Sequence, residues 1–200
     1  MKKFAIKRKV TQLLTQNKDH LKLNVGCGTD YKKGWVNIDN NSDENIEKLD
    51  LNWDLRNPLP FEDNSVDYIF HEHFQEHLTP EEGIKITKDL MRVLKPDGVL
   101  RIATPDLEYI VDKYLHLDLK DDPVLTKFGL DFIQTRAERM NVGFRWWGHK
   151  WMYDWEELER RLKESGCSKI KRCKLRKSTH SSLCNLETRE ESNLIAEVTK

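Results

Sequence analysis

The chain has 200 residues, of which 38% are hydrophobic and 34% are charged, and its 34 basic residues balance its 34 acidic ones. A chain of this length buries about 70% of its unfolded surface in a single core. The balanced charge excludes a global field that would steer the chain to nucleic acid or to a membrane surface. No apolar run reaches the roughly 18 residues of a membrane helix, and the N-terminus lacks a signal-peptide core. We therefore expect one cytoplasmic domain.

The four cysteines, at positions 27, 167, 173 and 184, form no C-x-x-C pair. Cysteines scattered in this way are typical of an intracellular protein, in which the thiols stay reduced. The sequence therefore predicts neither a disulfide scaffold nor a cysteine-rich zinc site.

The order of apolar segments along the chain predicts the fold class. Residues 1–20 combine basic and apolar side chains at helical spacing, which predicts an amphipathic leader helix, and 21–200 are expected to form a single domain. The predicted strands lie at 21–25, 35–38, 49–51, 66–70, 99–103, 168–175 and 193–198. The predicted helices lie at 80–94, in one or two segments of 105–139 broken near 121–123, and at 154–165. This alternation predicts an α/β fold with a doubly wound, Rossmann-like, mostly parallel sheet, helices on both faces and a C-terminal antiparallel strand pair.

A glycine pair follows the first predicted strand. Gly26 and Gly28 are typical of a place where the backbone approaches a ligand closely, because glycine adds no side chain there. Only residues 26–34 separate the first two strands, fewer than a parallel crossover normally takes. We therefore expect a shortened first crossover whose helix is very short or absent. A ligand with a carboxylate, an amine, a ribose and a base suits this loop better than a pyrophosphate on a helix N-terminus.

Polar side chains follow the next three predicted strands. Asp39, Asp54 and His71 come where these strands end, and open α/β sheets bind ligands at the carboxyl ends of their strands. A carboxylate such as that of Asp39 can accept hydrogen bonds from both hydroxyls of a ribose. Asp54 is placed to accept from an adenine amino group while Leu55 covers the ring.

Two stretches carry a resemblance to a known family: LKLNVGCGTDYKKGWVNIDN, and DLRNPLPFEDNSVDYIFHEHFQEHLTPEEGIKITKDLMRVLKPDGVLRIATPD. Together they resemble the class I S-adenosylmethionine-dependent methyltransferases, and most of all a compact bacterial branch associated with sugar or surface-polysaccharide modification. The resemblance covers about residues 20–110. It implies S-adenosylmethionine as the cofactor. The cofactor-binding residues that it implies are Gly26, Cys27 and Gly28 for the methionine moiety, Asp39 for the ribose, Asp54 and Leu55 for the adenine, and His71 to His73 beside the methyl group.

The segment from His73 to His77 reads H-x-x-E-H, the pattern by which inverted zincins hold zinc. Such a zinc site needs a longer helix and a third ligand, whereas this motif follows a strand directly and Pro80 starts the next helix. A second interpretation is that Glu76 and His77 brace the junction between strand and helix. A third is that His73, and after it His71, is catalytic, since a neutral imidazole can accept the proton of an alcohol acceptor. We expect no bound metal, and His73 is the leading candidate for the base.

Aromatic residues are dense over about 139–155. Trp146, Trp147, Trp151 and Trp155 alternate here with basic side chains, and two interpretations stay open. Trp151 and Trp155 are spaced to pack beneath the following helix. The segment as a whole is typical of a variable lid over an acceptor pocket, which makes His149 a further catalytic candidate.

The stretch 160–177 holds nine basic residues and one acidic residue, Glu164. A solvated face or a protected edge strand explains such a stretch. It could also attract an anionic acceptor such as a phosphorylated sugar or a lipid-linked glycan. RNA is the least supported partner, because no recognition module accompanies the charge.

These features predict methyl transfer to a small polar acceptor, with an oxygen of a sugar or glycan precursor as the first choice. One alternative is a non-catalytic partner domain that binds S-adenosylmethionine or S-adenosylhomocysteine. A third is a zinc hydrolase built on the H-x-x-E-H motif.

Overall fold

The computed structural model describes residues 2–17, 20–40, 46–116 and 118–200 of the chain. The strands are β1 (Lys22–Val25), β2 (Val36–Asp39), β3 (Leu51–Asn52), β4 (Val66–Glu72), β5 (Leu94–Thr104), β6 (Lys169–Cys173) and β7 (Leu194–Thr199). The helices are α1 (Lys2–Gln16), α2 (Pro80–Val93), α3 (Leu107–His116), α4 (Pro123–Lys127), α5 (Arg136–Arg145) and α6 (Trp155–Glu164). Short 3-10 turns cover Gln75–His77, Leu119–Asp121 and Ser181–Leu183. Residues 1, 18 and 19 of the predicted leader lie outside the described residues.

The strands form one sheet in the order β3-β2-β1-β4-β5-β7-β6. The first five strands of the chain pair in parallel, and β7 runs antiparallel between β5 and β6. The predicted Rossmann-like sheet with a C-terminal antiparallel pair is therefore confirmed. The strand order reverses between β1 and β4, which is where open α/β sheets bind ligands.

The first crossover is short, as predicted. The described residues 26–35 between β1 and β2 contain turns and no helix. Side chains of the strands hold this loop instead, since Asn24 donates from Nδ2 to the Asp30 carbonyl (2.8 Å) and to Asn37 Oδ1 (2.9 Å). The Asn37 Oδ1 atom also accepts from the Lys32 backbone N–H at 2.8 Å. Hydrogen bonds of buried side-chain amides thus hold this loop, which has no crossover helix.

Helices α1, α2 and α6 pack on one side of the sheet, which we call the first face. Alternate strand residues such as Leu23, Ile69 and Leu100 point to it and are fully buried. Helix α2 begins where the sequence predicted, because Thr79 and Glu82 form a capping box and proline suits the first turn. Helix α6 begins at the predicted cap Asp154.

The opposite side, the second face, is covered by residues 174–193 between β6 and β7, which we call the cover segment. Its apolar part is small and includes Phe70, Leu183 and Ile195. Fully buried Arg101 lies on this face, where it donates to Glu187 Oε1 at 2.5 Å and to Glu197 Oε1 at 2.6 Å. Buried charged side chains therefore make up much of the second face.

The middle of the chain is more broken than predicted. It holds α3, α4, α5 and a 3-10 turn, where the sequence indicated one or two helices. Asp118 and Asp122 each accept a hydrogen bond from a backbone N–H two residues later, so each starts a new turn. Local capping thus divides this region.

No helix in the described part of the chain is both long and apolar enough to cross a membrane.

Candidate functional site

A cavity of about 320 Å³ opens at the carboxyl ends of β1, β2 and β4, and we call it the first cavity. Its lining residues are Asn24, Gly26, Cys27, Gly28, Asp30, Asp39, Ile46, Glu72, His73, Phe74, His77 and Arg189. The sequence predicted a binding site at this edge of the sheet.

The two glycines of the loop have different roles. Both have positive φ, +63° at Gly26 and +50° at Gly28. A Cβ atom at Gly26 would overlap the Phe74 ring, so this glycine makes room for the protein's own side chain. A Cβ atom at Gly28 would meet nothing within 4 Å, and the residue lines the cavity. Gly28 is therefore the place where a ligand can approach the backbone.

Asp39 ties the glycine loop to β2. Its Oδ2 atom accepts from the Gly28 backbone N–H at 2.8 Å, and its Oδ1 atom accepts from the Asn40 N–H at 2.6 Å. A carboxylate oxygen has a second lone pair. The carboxylate of Asp39 can therefore still accept hydrogen bonds from a diol in the cavity, which is the role predicted for it.

Cys27 lines the first cavity as a neutral thiol. Burial, together with the nearby Asp39 carboxylate, raises the pKa of the Cys27 thiol to about 12. Because the thiolate is the nucleophilic form, Cys27 does not act as a nucleophile at neutral pH.

The predicted adenine contacts do not line either cavity. Asp54 forms a two-pronged pair with Arg56, with Nε to Oδ1 at 2.9 Å and Nη2 to Oδ2 at 2.7 Å. These hydrogen bonds lower the pKa of Asp54. Leu55 packs against the core of the first face. The contacts predicted for these two residues stay a prediction.

His71 is fully buried on the first face of the sheet and lines neither cavity. Burial lowers the pKa of its imidazole to about 4, so the ring is neutral at physiological pH. Neither ring nitrogen has a hydrogen-bond partner among the described residues. The structure therefore places this predicted site residue in the core.

His73 lies at the end of β4 with φ of +51°, a conformation uncommon for residues other than glycine. Its Nδ1 atom is 3.1 Å from Glu76 Oε1. Glu76 is fully buried, and its Oε2 atom accepts from the Thr104 hydroxyl at 2.9 Å. Burial opposes ionisation of Glu76, but the hydrogen bond and charge of His73 outweigh it and lower the pKa of the carboxyl.

The H-x-x-E-H motif does not form the helix of an inverted zincin. It spans the end of β4 and the 3-10 turn Gln75–His77. Glu76 braces the junction through Thr104 of β5, as the second interpretation of the motif predicted. The zinc hydrolase alternative therefore lacks its helical scaffold.

A second cavity of about 420 Å³ adjoins the first. Helices α3, α4 and α5, the aromatic segment and the end of the cover segment contribute its walls. Its lining residues are His73, His77, Pro105, Asp106, Tyr109, Ile110, Val124, Phe128, Arg139, Gly143, Trp147, His149, Met152, Arg189, Glu191 and Asn193. His73, His77 and Arg189 line both cavities and so form the wall between them.

Arg189 is a site residue that sequence reasoning missed. Its backbone N–H donates to Glu72 Oε1 at 3.1 Å, which fixes the cover segment beside β4. Its guanidinium forms no ion pair within the described ranges, so it brings an unpaired positive charge to the shared wall. No motif surrounds Arg189 in the sequence, and only its contact with the distant Glu72 places it here.

The aromatic segment divides between cavity, surface and core. Trp147 and His149 line the second cavity. Trp151 is 39% exposed and donates to Glu157, while Trp155 packs against the first-face core. Glu157 belongs to α6, and the Arg161 guanidinium of the same helix lies 5.6 Å from the Trp151 ring, so Trp151 lies against this helix with part of its ring exposed.

The basic stretch 160–177 runs from the end of α6 through the edge strand β6 into the start of the cover segment, and it contributes no residue to either cavity. Arg160 and Arg161 pair with Glu157, and Arg172 pairs with Asp106. These local pairs and the edge position agree with the solvated-face interpretation.

Comparisons with known proteins find a matching domain and a similar fold. Residues 26–102 match the family model described as a methyltransferase domain. No curated protein sequence matches the chain. A SAM-dependent methyltransferase from Archaeoglobus fulgidus is similar over 98% of this chain and 93% of its own, with 17% identity and a TM-score of 0.53. One from Thermotoga maritima is similar over 90% of this chain and 82% of its own, with 16% identity and a TM-score of 0.55.

The likeness to these two structures concerns the fold. The family model covers less than half of the chain and indicates a methyltransferase domain at residues 26–102.

Proposed function

We propose that the chain is an S-adenosylmethionine-dependent methyltransferase that holds its cofactor in the first cavity and methylates a hydroxyl of a small polar acceptor, such as a sugar or glycan precursor, in the second. The observation that carries the proposal is the wall that the cavities share, formed by His73, His77 and Arg189. Methyl transfer is an in-line displacement, and it needs a donor and an acceptor that meet at such a boundary.

The first cavity suits S-adenosylmethionine because it offers contacts for a nucleoside that carries an amino-acid tail. The open backbone at Gly28 can receive the methionine moiety, and the Asp39 carboxylate can accept from the ribose hydroxyls. The contact of Asp54 and Leu55 with adenine is part of the proposal, and it requires Asp54 to exchange its bonds with Arg56 for the amino group.

His73 is the proposed general base. Its Nδ1 atom lies 3.1 Å from Glu76 Oε1, and this contact with a carboxylate favours the proton on Nδ1 and so the lone pair on Nε2. The Nε2 atom has no hydrogen-bond partner among the described residues. As the acceptor oxygen bonds to the methyl carbon, the C–S bond breaks, S-adenosylhomocysteine leaves and the hydroxyl proton moves to Nε2.

The second cavity supports a ring-shaped polar acceptor. Its volume of about 420 Å³ lies within the usual range for small-molecule sites. Aromatic rings from Tyr109, Phe128 and Trp147 line it, and such rings can stack on a sugar. Arg189 adds a positive charge for an anionic group.

The variant Arg189→Met shows which molecule carries that anionic group. If the variant raises only the KM of the acceptor, the group belongs to the acceptor. If the variant weakens S-adenosylmethionine binding, the group belongs to the cofactor.

A pair of glycine variants tests the cofactor site. Gly28 and Gly34 both have positive φ, and a Cβ atom at either position would meet open space, but only Gly28 lines the first cavity. Alanine at either position costs about 1 to 2 kcal/mol of stability, the penalty of a left-handed backbone. Calorimetry should show weaker S-adenosylmethionine binding for Gly28→Ala and wild-type binding for Gly34→Ala. Equal affinities of the two variants would contradict the proposed place of the cofactor.

Release of S-adenosylhomocysteine in the presence of sugars and sugar phosphates tests the reaction. His73→Asn is the informative variant, because asparagine tolerates positive φ and removes the imidazole. It should retain cofactor binding and lose turnover. Cofactor binding without product release for every hydroxyl acceptor would contradict the acceptor class, and wild-type turnover by His73→Asn would remove the base role.

A further inference from the structure

A buried carboxylate and two imidazoles meet where the wall of the second cavity joins the 3-10 turn. Glu76, His77 and His149 each offer a ligand atom, and these atoms all lie within 4.8 Å of one another. The rings of His77 and His149 stand edge to face with their centroids 5.0 Å apart. The fold thus brings His149, which is remote in sequence, to two residues of the H-x-x-E-H motif.

Other contacts hold these side chains in orientations suited to binding a cation. His149 donates from Nδ1 to the Gly143 carbonyl at 2.7 Å, which leaves the lone pair on Nε2. The Thr104 hydroxyl donates to Glu76 at 2.9 Å and fixes the carboxylate. Metal-binding histidines almost always have such a partner on their second nitrogen, and ligating carboxylates are hydrogen-bonded in turn.

We propose that Glu76, His77 and His149 bind one divalent transition-metal ion. Two imidazoles and one carboxylate are a ligand set that suits zinc, manganese or iron(II). Three protein ligands leave at least one coordination position open, as in catalytic metal sites. Because His77 and His149 line the second cavity, the open position is accessible to a small molecule there.

The role of the ion rests on the proposed function. An ion at this place can polarise an acceptor hydroxyl and lower its pKa, which assists removal of the proton by His73. Metal binding itself depends only on the three ligands, so the two ideas can be tested separately.

Cobalt(II) is a suitable probe, because its visible absorption reports coordination by protein ligands. The full chain is treated with a chelator, dialysed and titrated with cobalt(II) alone, and bound metal is counted by elemental analysis. We expect one ion per chain. His149→Ala should weaken binding by at least about 100-fold, more than loss of an outer partner usually costs. His116→Ala is the matched control, since His116 is exposed, pairs with Asp112 and is not part of the cluster, and it should bind as the wild type does.

Absence of cobalt binding by the wild-type chain would overturn the proposal, as would unchanged binding by His149→Ala. Circular dichroism of this variant and its calorimetric affinity for S-adenosylmethionine confirm that it is folded. His77→Ala provides a second ligand variant with the same expected loss if His149→Ala fails to fold.

The same samples separate the ion from the proposed reaction. Full product release by chelator-treated protein would overturn the role of the ion and leave the methyl transfer standing. Cobalt binding without cofactor binding would contradict the proposed function and support the metal site.

Discussion

The two faces of the sheet are built with different chemistry although the same strands supply both. Leu100 and Ile102 of β5 point to the first face, where helices cover them with apolar side chains. Arg101, between them, points to the second face, where Glu187 of the cover segment and Glu197 of β7 pair with it. An apolar face needs only hydrophobic partners of suitable shape, whereas a buried charge needs particular partners in particular positions.

The charges of the second face also hold the site together. Glu72, at the end of β4, accepts from the Thr188 backbone and hydroxyl, from the Arg189 backbone and from the Ser192 hydroxyl. Burial opposes ionisation of Glu72, but these hydrogen bonds outweigh it and lower the pKa of the carboxyl. Through these bonds the cover segment brings Arg189 to the wall beside His73. The second face therefore positions part of the site, while the first face provides most of the core.

The largest expected change is in the free energy of unfolding, and it contrasts two neighbouring residues of β5. Arg101→Met leaves Glu187 and Glu197 buried without their cation, and loss of one partner of a buried pair costs about 4 kcal/mol. Ile102→Met on the other face conserves volume and should cost less than about 1.5 kcal/mol. Urea denaturation measures both. Similar losses for the two variants would show that the faces do not differ in this way.

The next largest effect is a pH dependence of the stability, which comes from His71 on the first face. The pKa of His71 is about 4 in the folded chain and ordinarily 6.5, so the unfolded chain binds more protons between these values. The stability that the neutral ring provides is complete above pH 6.5 and is lost as pH falls toward 4, by about 3 kcal/mol. His71→Leu should remove this part of the pH dependence. Parallel stability curves of wild type and variant, measured by urea denaturation across this range, would contradict the expectation.

The smallest of the three effects on stability tests how the cover segment is anchored. Ser192 is fully buried and its hydroxyl donates to Glu72 at 2.6 Å. Ser192→Ala should cost about 2 kcal/mol, as expected for a hydrogen bond to a charged group. Exposed Ser181, in the same segment, is the matched control, and Ser181→Ala should leave the denaturation midpoint unchanged. A midpoint of Ser192→Ala equal to that of the control would show that Glu72 does not anchor the segment through this bond.

Much of the fold could be predicted from local pattern. Alternating apolar residues indicated the strands, Pro80 and Asp154 indicated two helix starts, and the short spacing between Gly26 and Trp35 indicated a crossover without a regular helix. The middle third was harder, because aspartate caps interrupt its helical pattern.

The candidate site was predicted in part. Gly28, Asp39, His73 and His149 line the cavities, and each follows from a strand end or from a dense local motif. His71 also follows a strand pattern, but strand alternation directs its side chain into the core. Arg189 had no local signal.

The sequence by itself determined the strands, the glycine loop and the carboxylate that closes β2, because these depend on periodicity and on residues close together in the chain. Only the tertiary structure decided that His149 reaches Glu76 and His77, that Arg189 reaches the shared wall, and that Arg101 is neutralised within a buried face. Those contacts join segments far apart in the chain. Their energies depend on distance and burial, which no local pattern encodes.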